Sequence, residues 1–128
     1  MVNQRQTINS YDIDGVITVG ITPRPEDIII TGRSYEEAKE TLEYLHSRGI
    51  YNQVFFNPVR YDEKSRVSSG EHKARILKAF EGMVGKHFED DIIQKQKIEE
   101  VVDIPVVLLK HNLTNKENEK HINWQTEV

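Results

Sequence analysis

Three features of the chain predict an α/β fold with a mostly parallel sheet and helices on both of its faces. Short β-branched runs alternate with helical patterns along the whole length. Two of the runs, "DIIIT" (27–31) and "IPVVLL" (104–109), are continuously apolar rather than alternating, as strands buried on both faces are. Two of the stretches between runs open on helix-start signals, a serine followed three residues later by a glutamate.

The elements follow in order. "TINSY" (7–11) is the first strand and leads into "YDIDGVIT" (11–18). "DIIIT" is the second. The first helix opens at Ser34, with Glu37 completing a capping box. Ala38, Leu42 and Leu45 follow at helical spacing, and Gly49 can end the helix. "QVFF" (53–56) is the third strand. The second helix is expected to open near Ser68 or Ser69, with Ser68 and Glu71 as its box and Ile76, Leu77 and Phe80 as its stripe. Lys73 falls on that stripe, so its stem should run inward and its ammonium toward the sheet edge. "GKHF" (85–88) is the weakest strand. The third helix covers about 92–103 with Ile98, Val101 and Val102 inward, and Pro105 starts the last strand.

The 128 residues suit one domain, a core over 1–110 with a mostly polar tail at 111–128 that carries Ile122 and Trp124. The tail is open to three readings: disorder, docking on the body, or an oligomer contact. Hydrophobic content of 37% and charged content of 30% describe a well-solvated globular protein. There is no cysteine, which excludes disulfides and thiolate chemistry. No apolar run approaches the roughly 18 residues of a membrane span. "MVNQRQTINS" lacks the apolar core of a signal peptide, so the expectation is a cytoplasmic protein. A formal net charge of −4 gives no general attraction to nucleic acid or anionic membrane, although a local basic patch would.

In parallel α/β sheets, ligands sit at the carboxyl ends of the strands. The residues found there are Asp12 and Asp14, then Thr31, Gly32 and Arg33, then Asn57 and Pro58, then Glu89, Asp90 and Asp91. Carboxylates gathered at one rim repel one another and call for a cation. Oxygen donors without a His or Cys pattern point to a hard ion, Mg²⁺. Mg²⁺ with the nearby Lys73, the Thr31 hydroxyl and turn N–H groups would receive a phosphoryl group. One Asp of the pair could attack phosphorus, and the other could move the proton. Gly15 lets the chain turn sharply past the site.

Residues 7–110 resemble the haloacid-dehalogenase-like (HAD) phosphohydrolases. "DIDGVIT" resembles the first motif of that family, D-x-D-G-x-x-T, and "IIITGR" the second. Lys73 in "SSGEHKARIL" resembles the third, and "HFEDD" the acidic fourth, all in the family's order. The resemblance implies a three-layered Rossmann-like sandwich with a five-stranded sheet in the order 5-4-1-2-3. Asp12 would be nucleophile and metal ligand, and Asp14 the acid/base with its backbone carbonyl on Mg²⁺. Thr31 would bind the phosphoryl group with the Gly32 N–H, and Lys73 would hold Asp12 and the phosphate. Either Glu89–Asp90 or Asp90–Asp91 would be the metal pair, with Asp90 first and Asp91 second in expectation. Residues 15–26 would form a small flap, and no segment is long enough for a cap domain. An uncapped site suits a phosphate presented on a large partner, or a homo-oligomer whose neighbours supply the missing wall.

The reading is therefore an Mg²⁺-dependent phosphomonoesterase working through an aspartyl phosphate. Its substrate is a nucleotide or nucleic-acid-end phosphate, since "NPVRYDEKSRVSSG" faintly resembles the corresponding region of polynucleotide 3′-phosphatase domains. Sugar phosphates and phosphoproteins are the alternatives, and a non-catalytic metal-binding module of the same fold is the alternative of another class. Arg33, Arg60, Lys64 and Arg66 would bind a second phosphate or a nucleic-acid backbone. With Asp62 and Glu63 among them, a solvated loop is an equal reading. The five histidines show no ligand spacing.

Overall fold

The computed structural model describes residues 7–110, so the tail at 111–128 lies outside the described residues. Five strands form one parallel sheet: β1 (Ile8–Tyr11), β2 (Ile28–Ser34), β3 (Val54–Asn57), β4 (Val84–Glu89) and β5 (Val106–Leu108). Their order across the sheet is β3-β2-β1-β4-β5. This is the expected 5-4-1-2-3 arrangement read from the other edge.

The helices are α1 (Ala38–Ser47), α2 (Arg66–Ala79) and α3 (Ile92–Glu99). Each lies in a crossover between parallel strands, as parallel pairing demands. They divide the core in two. On one face, Tyr11, Ile13, Val16, Ile17 and Ile29 pack with Leu45 of α1 and Ile50. On the other, Ile28, Ile30 and Val84 pack with Leu77 of α2, Ile98 of α3, Val102 and Ile104. Ile29 and Ile30 are adjacent and both fully buried, one in each core, which accounts for the unbroken apolar run. Each such side chain contributes about 2 kcal/mol.

The capping box expected at Ser34 is present. Ser34 Oγ accepts from Glu36 N at 3.1 Å and Glu37 Oε2 accepts from Ser34 N at 2.8 Å, around a 3₁₀ turn (Tyr35–Glu37) that leads into α1. Gly49, at φ +76, follows the end of that helix. Two expectations are corrected. The second helix starts earlier than Ser68, because Ser65 is its N-cap and Ser68 fills the reciprocal position in the box. Val101 is 48% exposed, because α3 ends at Glu99 and the chain turns before it. Val102 and Ile98 do point inward.

β1 and β4 are not in simple register. Ile8 pairs with Val84 but Asn9 pairs with Lys86, so β4 carries one extra residue there. Beyond it, Ser10 pairs with His87 and Tyr11 with Phe88. Among the described residues, no helix is long and apolar enough to cross a membrane.

Candidate functional site

The two central strands carry polar residues two apart near their carboxyl ends, Ser10 and Asp12 from β1, His87 and Glu89 on β4. A spacing of two puts each pair on one face of the sheet. That face is the one α2 covers. Lys73 reaches it from α2, about two turns past the helix start, and is fully buried as its place on the stripe predicts. Its ammonium lies 3.1 Å from Asp12 Oδ1 and 2.8 Å from Glu89 Oε1.

Asp12, Glu89 and Asp90 each offer a carboxylate oxygen within 4.8 Å of the others, a grouping that could hold a metal ion. Asp12 and Glu89 are almost wholly buried. Asp12 is oriented by the turn that follows it, for its Oδ1 also accepts from Ile13 N at 2.8 Å. Gly15, at φ +81, lies directly beneath Asp90. A Cβ there would fall 1.9 Å from Asp90 Oδ2, so glycine is required both for the turn and for the approach. Oxygen donors gathered in this way suit a hard cation.

Glu89 is held from several sides. Its Oε1 accepts from Lys73 and from His87 Nε2 at 3.0 Å, and its Oε2 accepts from the backbone of Asp90 and Asp91, each at 3.3 Å. Burial alone would raise its pKa. The Lys73 charge and the His87 bond outweigh burial and hold it well below the usual carboxylate range. Burial pushes the pKa of His87 down, so the ring is neutral. A neutral ring that donates from Nε2 to a carboxylate must accept at Nδ1, and Ser10 Oγ lies 2.7 Å from that atom.

The other expected residues fall into two groups. Thr31, Gly32 and Arg33, expected beyond the second strand, lie within β2, which runs on to Ser34; Thr31 is buried, with its hydroxyl accepting from Arg33 N at 3.0 Å. Gly32 lies against α2, where a Cβ would come 2.6 Å from Ser69 Oγ. Asp14 is gripped by Arg33, Nε at 3.0 Å and Nη2 at 2.8 Å, while Nη1 donates to Thr41 Oγ1. Burial would lower the Arg33 pKa, but the Asp14 carboxylate outweighs it and raises it. Asp12, Lys73 and Asp90 are thus brought together, and Asp14 and Arg33 form a second pair.

Asp91 and Arg60 do not join them. Asp91 caps α3, and its carboxylate accepts from Arg66 and from Gln94 Nε2 at 2.9 Å. The acidic residue that stands beside Asp90 in the cluster is Glu89. Arg60 is exposed, with Glu36 and Asp62 as its neighbours. Lys64, read as part of the same loop, is buried and donates to Glu37 Oε2 at 2.8 Å and to the Gly32 carbonyl at 3.3 Å. Burial lowers its pKa, against the pull of Glu37.

His87 is the residue that sequence reading missed. Its signal was H-x-E on a strand beside S-x-D on the neighbouring strand, a period of two that a search for helical ligand spacing passes over. No family model, no curated protein and no solved structure matches the chain.

Proposed function

We propose that the chain is a Mg²⁺-dependent phosphomonoesterase of the HAD-like kind, working through an aspartyl phosphate on Asp12. The observation that carries this reading is the meeting of three carboxylates, Asp12, Glu89 and Asp90, around the buried Lys73. Bound Mg²⁺ would relieve the repulsion among those carboxylates and draw charge from the phosphoryl oxygens.

Asp12 Oδ2 attacks phosphorus while Oδ1 is steadied by Ile13 N–H and Lys73. The new Oδ2–P bond forms as the ester P–O bond breaks, and Asp14 delivers a proton to the leaving oxygen. In the second half, Asp14 takes a proton from water, whose oxygen attacks phosphorus and releases Asp12. Thr31 and the Gly32 N–H help to hold the phosphoryl group. A carboxylate paired with arginine is an acceptor only, so the Arg33–Asp14 pair must open before Asp14 gives up a proton. An anionic group beside the scissile phosphate would open it by competing for Arg33. That favours nucleotide or nucleic-acid-end phosphates over simple monoesters.

The test is a panel of nucleotides, sugar phosphates, 3′-phosphorylated oligonucleotides and an aryl phosphate, assayed with Mg²⁺ and with excess chelator. Hydrolysis that needs Mg²⁺ is expected. Metal binding with no turnover of any ester would overturn the reading in favour of a binding module.

A further inference from the structure

The acidic cluster does not end at Glu89. From Asp12 a run of buried contacts continues inward through Lys73 (3.1 Å), Glu89 (2.8 Å), His87 (3.0 Å) and Ser10 (2.7 Å). Lys73, Glu89, His87 and Ser10 are all fully buried, and Asp12 is nearly so. Ser10 and His87 are register partners on adjacent strands, so the sheet itself fixes the inner end of the run.

Building a neutral imidazole and a hydroxyl into this interior carries a desolvation cost that apolar residues would avoid. The cores on either side show that apolar residues fit there readily: Val84 occupies the same face of β4 one turn of the strand earlier. What the imidazole does is specific. Lys73 and His87 both meet Oε1 of Glu89, which fixes the carboxylate in one orientation and directs Oε2 to the Asp90 and Asp91 backbone. It also means that Lys73 is not the sole donor to Glu89, and the same ammonium reaches Asp12 as well.

We infer that His87, with its ring held by Ser10, is a positioning residue that orients Glu89 for a divalent cation and lets Lys73 divide itself between Glu89 and Asp12. This rests on the metal-dependent reading above. His87 stands outside the carboxylate group that would hold the ion. Groups that orient ligating carboxylates from behind commonly govern metal affinity by 10- to 100-fold.

The experiment is Mg²⁺ titration by calorimetry of the wild type, His87→Leu, His87→Gln and Ser10→Ala, with thermal melts and hydrolysis kinetics on each. His87→Leu is expected to weaken Mg²⁺ binding about tenfold. At saturating Mg²⁺ its KM for the ester should stay near that of the wild type. His87→Gln, whose amide can still donate to Glu89, should recover most of the affinity. Ser10→Ala should shift it in the same direction by about two- to threefold, since only the ring's anchor is lost. A folded His87→Leu protein with wild-type Mg²⁺ affinity would overturn the inference and leave the phosphatase reading intact. If that variant does not fold, Ser10→Ala decides, and unchanged affinity there overturns it. A wild type that binds no Mg²⁺ would overturn the reading itself, and the inference with it.

Discussion

Two buried acids in this protein have opposite surroundings. Asp27, just before β2, is 2% exposed and accepts from Asn9 N at 3.0 Å, Tyr11 Oη at 2.9 Å, Arg24 N at 3.0 Å and the Arg24 guanidinium. That guanidinium has the exposed Glu26 as a second acid, at 3.5 Å, and a ring of donors completes the surroundings of Asp27. Asp12, at the other end of β1, shares its ammonium with Glu89 and has Asp90 close by. A close acid–base contact also joins Asp14 to Arg33, Glu37 to Lys64 and Asp91 to Arg66. Each of these acids lies against a basic side chain drawn from another part of the chain or its own turn. Acids gathered around one lysine concentrate negative charge, and the fold must be stabilised elsewhere to tolerate it.

The largest effect should come from the crowded end. Asp12→Asn is expected to reduce hydrolysis of an aryl phosphate in Mg²⁺ by roughly a thousandfold or more, with unchanged circular dichroism. Undiminished turnover would erase the functional side of the contrast.

Lys73→Met should come next. Removing the ammonium leaves buried carboxylates facing one another, at a cost of about 3–5 kcal/mol in urea unfolding. Added Mg²⁺ should return part of that stability, because the ion relieves the same repulsion. A loss that Mg²⁺ leaves untouched would count against a cation site.

Asp27→Asn should cost about 2 kcal/mol and leave hydrolysis unchanged. Burial would raise the Asp27 pKa, but the Arg24, Asn9 and Tyr11 bonds prevail and lower it. The ionised form is therefore favoured by folding. Its contribution is complete above the unfolded carboxylate value, about 3.9, and is lost as pH falls through the lower folded value. Urea midpoints of wild type and variant should differ at neutral pH and converge in strong acid. Arg60→Ala, on an exposed side chain, should change stability by less than about 0.5 kcal/mol and leave Mg²⁺ affinity alone.

Strand positions were legible because buried parallel strands leave unbroken apolar runs, as Ile28–Ile30 do. The first helix start was legible because Ser34 and Glu37 bond reciprocally. The second start was misread because Ser68 occurs in two overlapping patterns, and only the fold shows that it answers Ser65. Asp12, Lys73 and Asp90 could be named because each sits at a strand end or on a helix stripe. Asp91 was expected ahead of Glu89 as the partner of Asp90, and the cluster takes Glu89 instead, since adjacent acids look alike in sequence. The choice depends on Arg66, which reaches Asp91 from a different element. Lys64 and Arg66 read either as phosphate-binding or as solvated loop charges, yet both are drawn into the body by acids distant in sequence.

The extra residue in β4 has a consequence for which chemistry the sheet presents. Val84 and His87 share a side although they are three apart, which an even strand does not allow. Were Gly85 drawn into a regular pleat instead of bulging, the rest of the strand would invert. Lys86 and Phe88 would then turn toward α2, while His87 and Glu89 would swing into the greasy layer beneath α1. Looping one glycine out of the ladder thus determines whether this surface is acidic or oily.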